Sequence, residues 1–359
     1  MPDPRIYPLT FTPVLRDYLW GGRRLATLYG RELPAGPVAE SWEISGHPHG
    51  STAADRGFWE GQPLPAILDA LGERLVGSRA GWALARRKFP LLVKLLDARQ
   101  DLSVQVHPDD EYALVHENGE LGKAEMWYVL HADPGAALIL GLKSGTTRHG
   151  FEEALAADRV ETVLNRIPIQ AGQAVDVPTG TVHALLAGTV VAEIQQNSDT
   201  TYRVYDWGRL GADGKPRALH IDKALDVTNF AQPAAGIVRP ELFSDEAGVQ
   251  RGVQHSELVR NRYFVIEEIV LSPGSVFQGR CDGSTLEIWG CMQGEVAIEC
   301  DAAAPLALSA IRFGLLPAAL GAFSVAAATT ASAPASATAS AASVCLRAYL
   351  PEVVPAAGA

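Results

Sequence analysis

The sequence predicts a mainly β protein built of two jelly-roll domains, with a small helical insertion in the N-terminal part. Short runs rich in β-branched and aromatic residues recur along the chain and are bounded by Gly, Pro or Asp. The clearest of these runs are 126–130, 136–140, 189–194 and 263–271. Many short strands separated by turn residues are typical of sandwich and jelly-roll architecture.

Two segments break this pattern and predict short helices. In 63–85 and 148–164, apolar residues recur three and four positions apart, and Gly or Pro punctuates the ends. Both segments lie in the first half of the chain. We therefore expect the helices to decorate the first domain rather than to form a layer of their own.

The chain of 359 residues is long enough for two domains. The segment 232–240 has the Pro, Gly and Ala content of a linker, and the strand pattern resumes at Tyr263. We therefore place a catalytic domain at 1–235 and a second, metal-free domain at 236–359. The first domain holds all histidines except His255 and all tryptophans except Trp289, so the chemistry is expected there.

Charge and cysteine usage exclude several classes of protein. The 41 acidic residues outnumber the 30 basic ones and give a formal charge of −11, which opposes binding to nucleic acid. The four cysteines include no C-x-x-C pair and indicate free thiols. Residues 1–10 contain no apolar run of signal-peptide length. These features together predict a cytoplasmic protein.

An uncharged stretch at 313–346 is long enough to raise the question of a membrane helix. It contains two glycines and two prolines, and 324–343 is almost wholly Ala, Ser and Thr. This composition favours an enlarged surface loop of the second domain over a membrane span. A closing strand is expected at 344–350.

A first candidate for chemistry is the pair Gln105 and His107. They alternate with Val104 and Val106 on an apparent strand, so both polar side chains share one face. In a barrel that face would be the interior. The alternative is a solvated histidine beside the turn-forming residues that follow it.

A second pattern favours the interior position. Gly172, Pro178, Gly180 and His183 fit the second cupin motif, in which glycines permit a tight hairpin that directs a histidine into the barrel. An ordinary hairpin with a surface histidine is the alternative. Glu125 begins the strand at 126–130, and Lys123 lies two residues before it, although such a pair is also common on solvated edges.

Two imidazoles, one carboxylate and an amide oxygen would suit a single Zn²⁺ and leave the centre with a net positive charge. A rival pair is His47 and His49, which form the chain's one literal His-x-His. Proline between them and glycines on either side predict a turn instead of a barrel strand.

Six blocks of sequence resemble the type I mannose-6-phosphate isomerases, in their short bacterial form. They are Glu40-Ser-Trp-Glu-Ile-Ser45, Phe89-Pro-Leu-Leu-Val-Lys94, Leu102-Ser-Val-Gln-Val-His-Pro-Asp109, Gly122-Lys-Ala-Glu-Met-Trp-Tyr128, Pro178-Thr-Gly-Thr-Val-His-Ala184 and Glu193-Ile-Gln-Gln-Asn-Ser-Asp-Thr-Thr-Tyr-Arg-Val-Tyr-Asp206. Their order and spacing cover most of residues 10 to 230. In the C-terminal part the resemblance is diffuse.

The resemblance implies a zinc-dependent isomerase that interconverts mannose 6-phosphate and fructose 6-phosphate through an enediol. It implies zinc ligation by Gln105, His107, Glu125 and His183, and it places the family's active-site arginine at Arg203. The alternative for Arg203 is a surface arginine paired to Asp199 or Asp206.

The remaining candidates concern the substrate. No glycine-rich phosphate loop is present, so single cations and hydroxyls must hold the phosphate. Lys94 and Ser103 are the candidates, with Asp199 as a further substrate-binding residue and Lys123 as a candidate acid/base. The competing functions are a dioxygenase-like metal enzyme on the same barrel and a non-catalytic sugar-binding regulatory cupin.

Overall fold

A computed structural model describes residues 5–211, 214–231, 236–238, 241–242, 250–328 and 342–352. Two compact units are formed. Unit A comprises Val14–Trp42 and Leu91–Val238, and unit B comprises Met1–Pro13, Glu43–Pro90 and Arg239–Ala359. Antiparallel sheets dominate both units, which confirms the mainly β fold class.

Unit A contains a six-stranded and a five-stranded antiparallel sheet. In spatial order, the six-stranded sheet is Ala174–Val177, Glu125–Ala132, Thr189–Gln196, Leu91–Ala98, Glu40–Ile44 and Val14–Arg16. The five-stranded sheet is Tyr202–Tyr205, Val104–Val106, His183–Leu185, Ala137–Leu142 and Leu164–Pro168. The strands predicted from 126–130, 136–140 and 189–194 are all present.

The core of unit A lies between these two sheets, as in a jelly roll. Leu138, Leu140 and Leu185 from one sheet join Trp127 and Val191 from the other in a single buried cluster. Side chains that alternate with these along the five-stranded sheet form a second cluster, which packs against helices. The two-residue period of the strands thus divides each strand into an inner and an outer face.

The helices of unit A are short. Asp110–His116, Arg148–Ala156 and Ile221–Val227 contribute to the cluster on the outer face of the five-stranded sheet, with a 3₁₀ turn at Val160–Thr162, whereas Arg24–Thr27 contacts Asp97 of the six-stranded sheet. Asp109 and Thr147 cap two of them by accepting hydrogen bonds from the backbone N–H groups of Tyr112 (2.9 Å) and Gly150 (3.1 Å). The helix predicted within 148–164 is therefore present.

Unit B contains the second pair of sheets. Its larger sheet is Glu241–Leu242, Val253–Arg260, Val265–Leu271, Ser343–Tyr349, Glu287–Gln293 and Arg312–Leu316. Its smaller sheet is Val276–Cys281, Gly321–Ala327, Glu295–Cys300 and Ala303–Ser309, and Phe11–Thr12 pairs with Ala53–Ala54. Residues of both sheets meet in one core that includes Trp289, Phe277 and Phe323.

The predicted helical segment 63–85 consists of several short pieces. These are Leu64–Leu71, Glu73–Val76 and Gly81–Leu84, with 3₁₀ turns at Gly57–Trp59 and Ser78–Ala80. The first helix buries Leu64, Ile67, Leu68 and Leu71, the spacing of one helical face. It ends at Gly72, whose φ of 52° stops the helix.

The division into units differs from the predicted boundary near residue 235. Unit A ends at Val238, and residues 1–13 and 43–90 group with the C-terminal strands. The reason is main-chain pairing between residues that are far apart in the sequence. The N–H groups of Leu286 and Ala318 donate to the carbonyl oxygens of Val76 (3.1 Å) and Leu75 (2.9 Å). A linear composition boundary cannot detect such pairing.

The predicted Ala/Ser/Thr-rich loop at 324–343 is too long at both ends. Residues 324–327 belong to the strand Gly321–Ala327, and Ser343 begins the closing strand Ser343–Tyr349. Phe323 and Val325 are buried in the core of unit B, so small residues here alternate with core residues. The rest of the tract, 329–341, lies outside the described residues. Among the helices that are described, none is long and apolar enough to cross a membrane.

A half-buried carboxyl on the edge strand Ala174–Val177 gives a testable pH dependence. Burial raises the pKa of Asp176 to about 6, and its Oδ1 atom is buried without a hydrogen-bond partner. Because the native pKa exceeds the unfolded one, stability falls as pH rises through this interval. We expect Asp176→Asn to have the higher melting temperature at pH 8, with the difference shrinking at pH 5. A difference independent of pH would contradict this assignment.

Candidate metal centre

The five-stranded sheet of unit A brings three of the predicted site residues into one row. In the register of its antiparallel strands, Gln105 lies opposite both Arg203 and His183. Directly opposed residues project to the same face. His183 shares its face with Leu185 of the inner core, so this row faces the interior of the jelly roll.

Backbone carbonyl groups orient the two histidine rings. His107 Nδ1 lies 2.8 Å from the carbonyl oxygen of Thr200, and His183 Nδ1 lies 2.9 Å from that of Thr181. A carbonyl oxygen only accepts, so each Nδ1 carries the hydrogen and each Nε2 keeps its lone pair. Both rings are therefore held in the tautomer that binds a cation through Nε2.

Glu125 lies between the two Nε2 atoms. As the first residue of the strand Glu125–Ala132, it places Oε1 3.3 Å from His107 Nε2 and Oε2 3.5 Å from His183 Nε2. The ligand atoms of these three fully buried residues lie within 4.8 Å of one another. The Gln105 amide is adjacent, with its nitrogen 3.3 Å from His183 Nε2. Rotation of that amide would present its oxygen instead.

Lys123 belongs to the same group, although the strand begins only at Glu125. Its Nζ lies 2.6 Å from Glu125 Oε1 and 3.1 Å from His107 Nε2. Burial opposes ionisation of Glu125, but the Lys123 ammonium holds the pKa of the carboxyl well below its usual range. Burial and Lys123 lower the pKa of His107 to about 3, and burial also lowers that of His183.

These residues fit a divalent cation. Both Glu125 oxygens are buried and lack a hydrogen bond of good geometry, which is costly for a carboxylate unless a cation compensates. Two neutral imidazoles direct their Nε2 lone pairs towards the same point. Nitrogen and oxygen donors in this combination suit Zn²⁺ and related transition metals.

The motif glycine Gly180 has a geometric reason to lack a side chain. Its φ is +78°, and an added Cβ would lie 2.8 Å from the carbonyl oxygen of Val227. Its N–H donates to the carbonyl oxygen of His107 at 2.9 Å, so the turn before His183 also supports the other histidine. Gly172 has a similar φ of +86° but open space around it.

Lys94 has acidic neighbours instead of the open position expected of a phosphate ligand. Its Nζ lies 3.5 Å from Glu193 Oε1 and 3.8 Å from Glu40 Oε2, above the ring of Trp42. Burial opposes its charge, yet these carboxylates raise the pKa of Lys94 above its usual value. Its charge is thus already balanced by the protein.

The other predicted substrate residues have different surroundings. Ser103 is buried and lies one residue before the strand Val104–Val106. Asp199 is half-buried and close enough to Lys94 to help raise the pKa of that lysine.

Arg203 is not paired to Asp206. Its Nη1 donates to the carbonyl oxygen of Ala218 at 2.9 Å, whereas Asp206 accepts from Arg209 and Arg217. Burial and the neighbouring Arg217 lower the pKa of Arg203. Its Nε is buried without a hydrogen-bond partner, so the guanidinium retains donor capacity beside Gln105.

The rival pair His47 and His49 forms a turn, as the sequence predicts. The backbone N–H of His49 donates to His47 Nδ1 at 3.2 Å, and the two ring centroids lie 4.7 Å apart. One ring nitrogen of His47 is thereby occupied by the backbone.

Sequence reasoning missed the groups that support the donors. The carbonyl groups of Thr181 and Thr200 carry no sequence signal, because any residue supplies one. Trp127 packs its ring edge-on against His183, with centroids 5.4 Å apart, and donates from Nε1 to Glu193 at 2.8 Å. Its place in the strand after Glu125 is the one clue that the sequence offers.

Comparison with known proteins assigns the family. The family model for the catalytic domain of type I phosphomannose isomerase matches residues 9–130. A mannose-6-phosphate isomerase of Streptococcus mutans is 39% identical over 269 residues, which are 75% of this chain and 80% of that protein. The chain belongs to the type I phosphomannose isomerase family.

Further relatives agree with membership of the phosphomannose isomerase family. A probable mannose-6-phosphate isomerase of Bacillus subtilis is 46% identical over 221 residues, covering 62% of this chain and 68% of the relative. The crystal structure of a mannose 6-phosphate isomerase from Bacillus subtilis matches with a TM-score of 0.79 and 29% identity, over 95% of this chain and 99% of that one.

The donor geometry predicts how metal content responds to substitution. We expect His107→Ala and His183→Ala each to lose bound metal, because each removes an Nε2 donor from the buried group. Elemental analysis after dialysis against a weak chelator measures this directly. His149→Ala, at a histidine whose side chain is 80% exposed, is the matched control and should retain metal. Stoichiometric metal in both active-site variants would refute the assignment.

Proposed function

We propose that the protein is a zinc-dependent isomerase that interconverts mannose 6-phosphate and fructose 6-phosphate. The observation that carries this proposal is the buried His107–Glu125–His183 group, in which both Nε2 atoms and a carboxylate converge. Family membership gives the substrate class, a phosphosugar. The donor set supports the choice of zinc.

In this proposal Gln105, His107, Glu125 and His183 hold one zinc ion per chain. When bound, the ion would act as a Lewis acid that stabilises negative charge on the sugar oxygens. The protein's own contribution is preorganisation. Thr200 and Thr181 fix the imidazoles, and the surrounding core excludes water, so the donors need no rearrangement as charge develops.

Arg203 is proposed to stabilise the oxyanion of the enediol or the phosphate, without ligating metal. It lies next to Gln105 in the cross-strand row, and within the described residues its Nε has no hydrogen-bond partner. Arg209 and Arg217 flank it, and their shared partner Asp206 balances only one of the two charges. This surplus of positive charge at the edge of the site suits an anionic substrate.

Lys123 is proposed as the group that exchanges a proton with the substrate. It is a buried cation among the donor atoms, 2.6 Å from Glu125. Lys94, Ser103 and Asp199 remain proposed substrate residues. For Lys94 the balanced charge favours a role in orienting neighbouring groups over one as the principal phosphate ligand.

The two competing functions have less support. A dioxygenase-like cupin would not require the cations Lys123 and Arg203 beside the donors. A regulatory cupin that has lost its metal would not be expected to keep a complete buried donor set. The cysteines are free thiols, in keeping with the proposed cytoplasmic location.

Substitution of Arg203 tests the proposal. We expect Arg203→Ala to lower kcat and kcat/KM by similar factors, on the order of a hundredfold, because the lost donor acts mainly in the transition state. Arg203→Lys should also be impaired, since lysine lacks the planar fork. Steady-state isomerisation of mannose 6-phosphate and zinc content are the measurements.

Arg166→Ala, at an exposed residue on the far edge strand of the same sheet, is the control and should leave both kinetic constants unchanged. A normal kcat with a raised KM for Arg203→Ala would reduce Arg203 to a ground-state binding role. Failure of the wild-type protein with stoichiometric zinc to isomerise mannose 6-phosphate would overturn the proposed function.

A further inference from the structure

Unit B contains a cavity of about 760 Å³ that the proposed isomerase reaction does not use. It forms where the short helices after Ser78, the turn after Val253–Arg260 and the chain after the last strand meet. Its lining is Ser78, Arg79, Gly81, Trp82, Arg260, Asn261, Arg262, Tyr263, Pro351 and Glu352. Its size falls within the range of small-molecule sites.

Two aromatic rings form the apolar wall of this cavity. Trp82 and Tyr263 meet edge to face, with ring centroids 5.4 Å apart and a 65° angle between the planes. Trp82 is half-buried, and within the described residues its Nε1–H has no acceptor. This wall therefore offers a flat surface and an unused donor to a planar ring.

Three arginines surround the wall, and two of them are fixed by the protein. Arg79 donates to the carbonyl oxygen of Leu350 (3.2 Å) and to Glu352 (2.9 Å). Arg260 binds Glu257 through Nε at 2.9 Å. These contacts hold the rim of the cavity in place and balance two of its positive charges.

The third arginine is different. The guanidinium of Arg262 lies over the Tyr263 ring, 5.1 Å from its centroid, and in the part of the chain that is described its N–H groups have no acceptor. Asn261 shapes the turn by accepting hydrogen bonds from the backbone N–H groups of Tyr263 and Phe264. A positioned cation thus faces a cavity with one surplus positive charge, which suits an anion.

We propose that this cavity binds a small phosphorylated compound with a planar ring, the chemistry of a nucleotide. The ring packs on the face of Trp82, a polar group beside the ring accepts from Trp82 Nε1–H, and the phosphate is bound by Arg262. An inorganic anion would use only the arginine, and an uncharged aromatic compound only the wall. A ligand that uses both Arg262 and the aromatic wall must carry an anionic group and a planar ring in one molecule.

Isothermal titration of the full-length, zinc-loaded protein with AMP and with GMP tests this proposal. We expect saturable binding of one nucleotide per chain, and we expect adenosine and inorganic phosphate to bind at least about tenfold more weakly than the nucleotide. Arg262→Ala and Trp82→Leu should each weaken binding at least about tenfold. Arg312→Ala, at an exposed arginine on another strand of unit B, is the matched control and should bind normally.

The variant Arg203→Ala tests whether the nucleotide binds at the isomerase site instead. We expect this variant to bind the nucleotide as the wild type does. Arg262 is exposed, so its substitution leaves folding intact even if Trp82→Leu does not fold. The proposal is overturned if neither nucleotide binds up to about 5 mM, if Arg262→Ala has wild-type affinity, or if phosphate alone binds as tightly as AMP. The last result would indicate an adventitious ion only.

Discussion

The buried carboxylate of Glu125 is the constraint on which the catalytic unit depends. A carboxylate removed from water is costly unless opposite charge and hydrogen bonds compensate it. Here the compensation comes from the Lys123 ammonium, whose Nζ lies 2.6 Å from Glu125 Oε1, because the two imidazole Nε2 atoms within 3.5 Å present lone pairs. Among the described residues its oxygens still lack well-formed hydrogen bonds, a deficit that a divalent cation would satisfy. The same arrangement that costs stability in the absence of a cation would therefore favour the binding of one.

The jelly roll makes this arrangement possible because its strands carry polar groups on an otherwise apolar inner face. Gln105 and His183 are cross-strand partners, and Glu125 comes from the opposite sheet. The neighbouring positions along these strands are Val104, Val106 and Ala184, which pack on the outer helices. A shift of register by one residue would exchange these faces and remove the donors from the interior. Fold stability and donor geometry thus depend on the same strand register.

The sequence could predict the strands that carry the donors because alternation and turn residues are local properties. The turn at His47 and His49 and the inward direction of His183 were predictable for the same reason. The assignment of residues 43–90 to unit B could not be predicted from the sequence. These residues join unit B through hydrogen bonds to residues more than 200 positions away, such as that between Val76 and Leu286. Nor could the sequence show that Glu40 and Glu193 surround Lys94, because their proximity arises from the packing of separate strands. The extent of the Ala/Ser/Thr tract was overestimated because composition does not distinguish a strand of small residues from a loop.

The central claim is that two imidazoles and oxygen donors of this chain bind one zinc ion. X-ray absorption at the zinc edge of the loaded protein tests it most directly, because it reports the identity of the donor atoms without reference to activity. We expect nitrogen and oxygen scatterers at about 2.0–2.2 Å with the outer-shell signature of two imidazoles, and no sulfur. A sulfur shell at about 2.3 Å, or a spectrum without imidazole scattering, would contradict it.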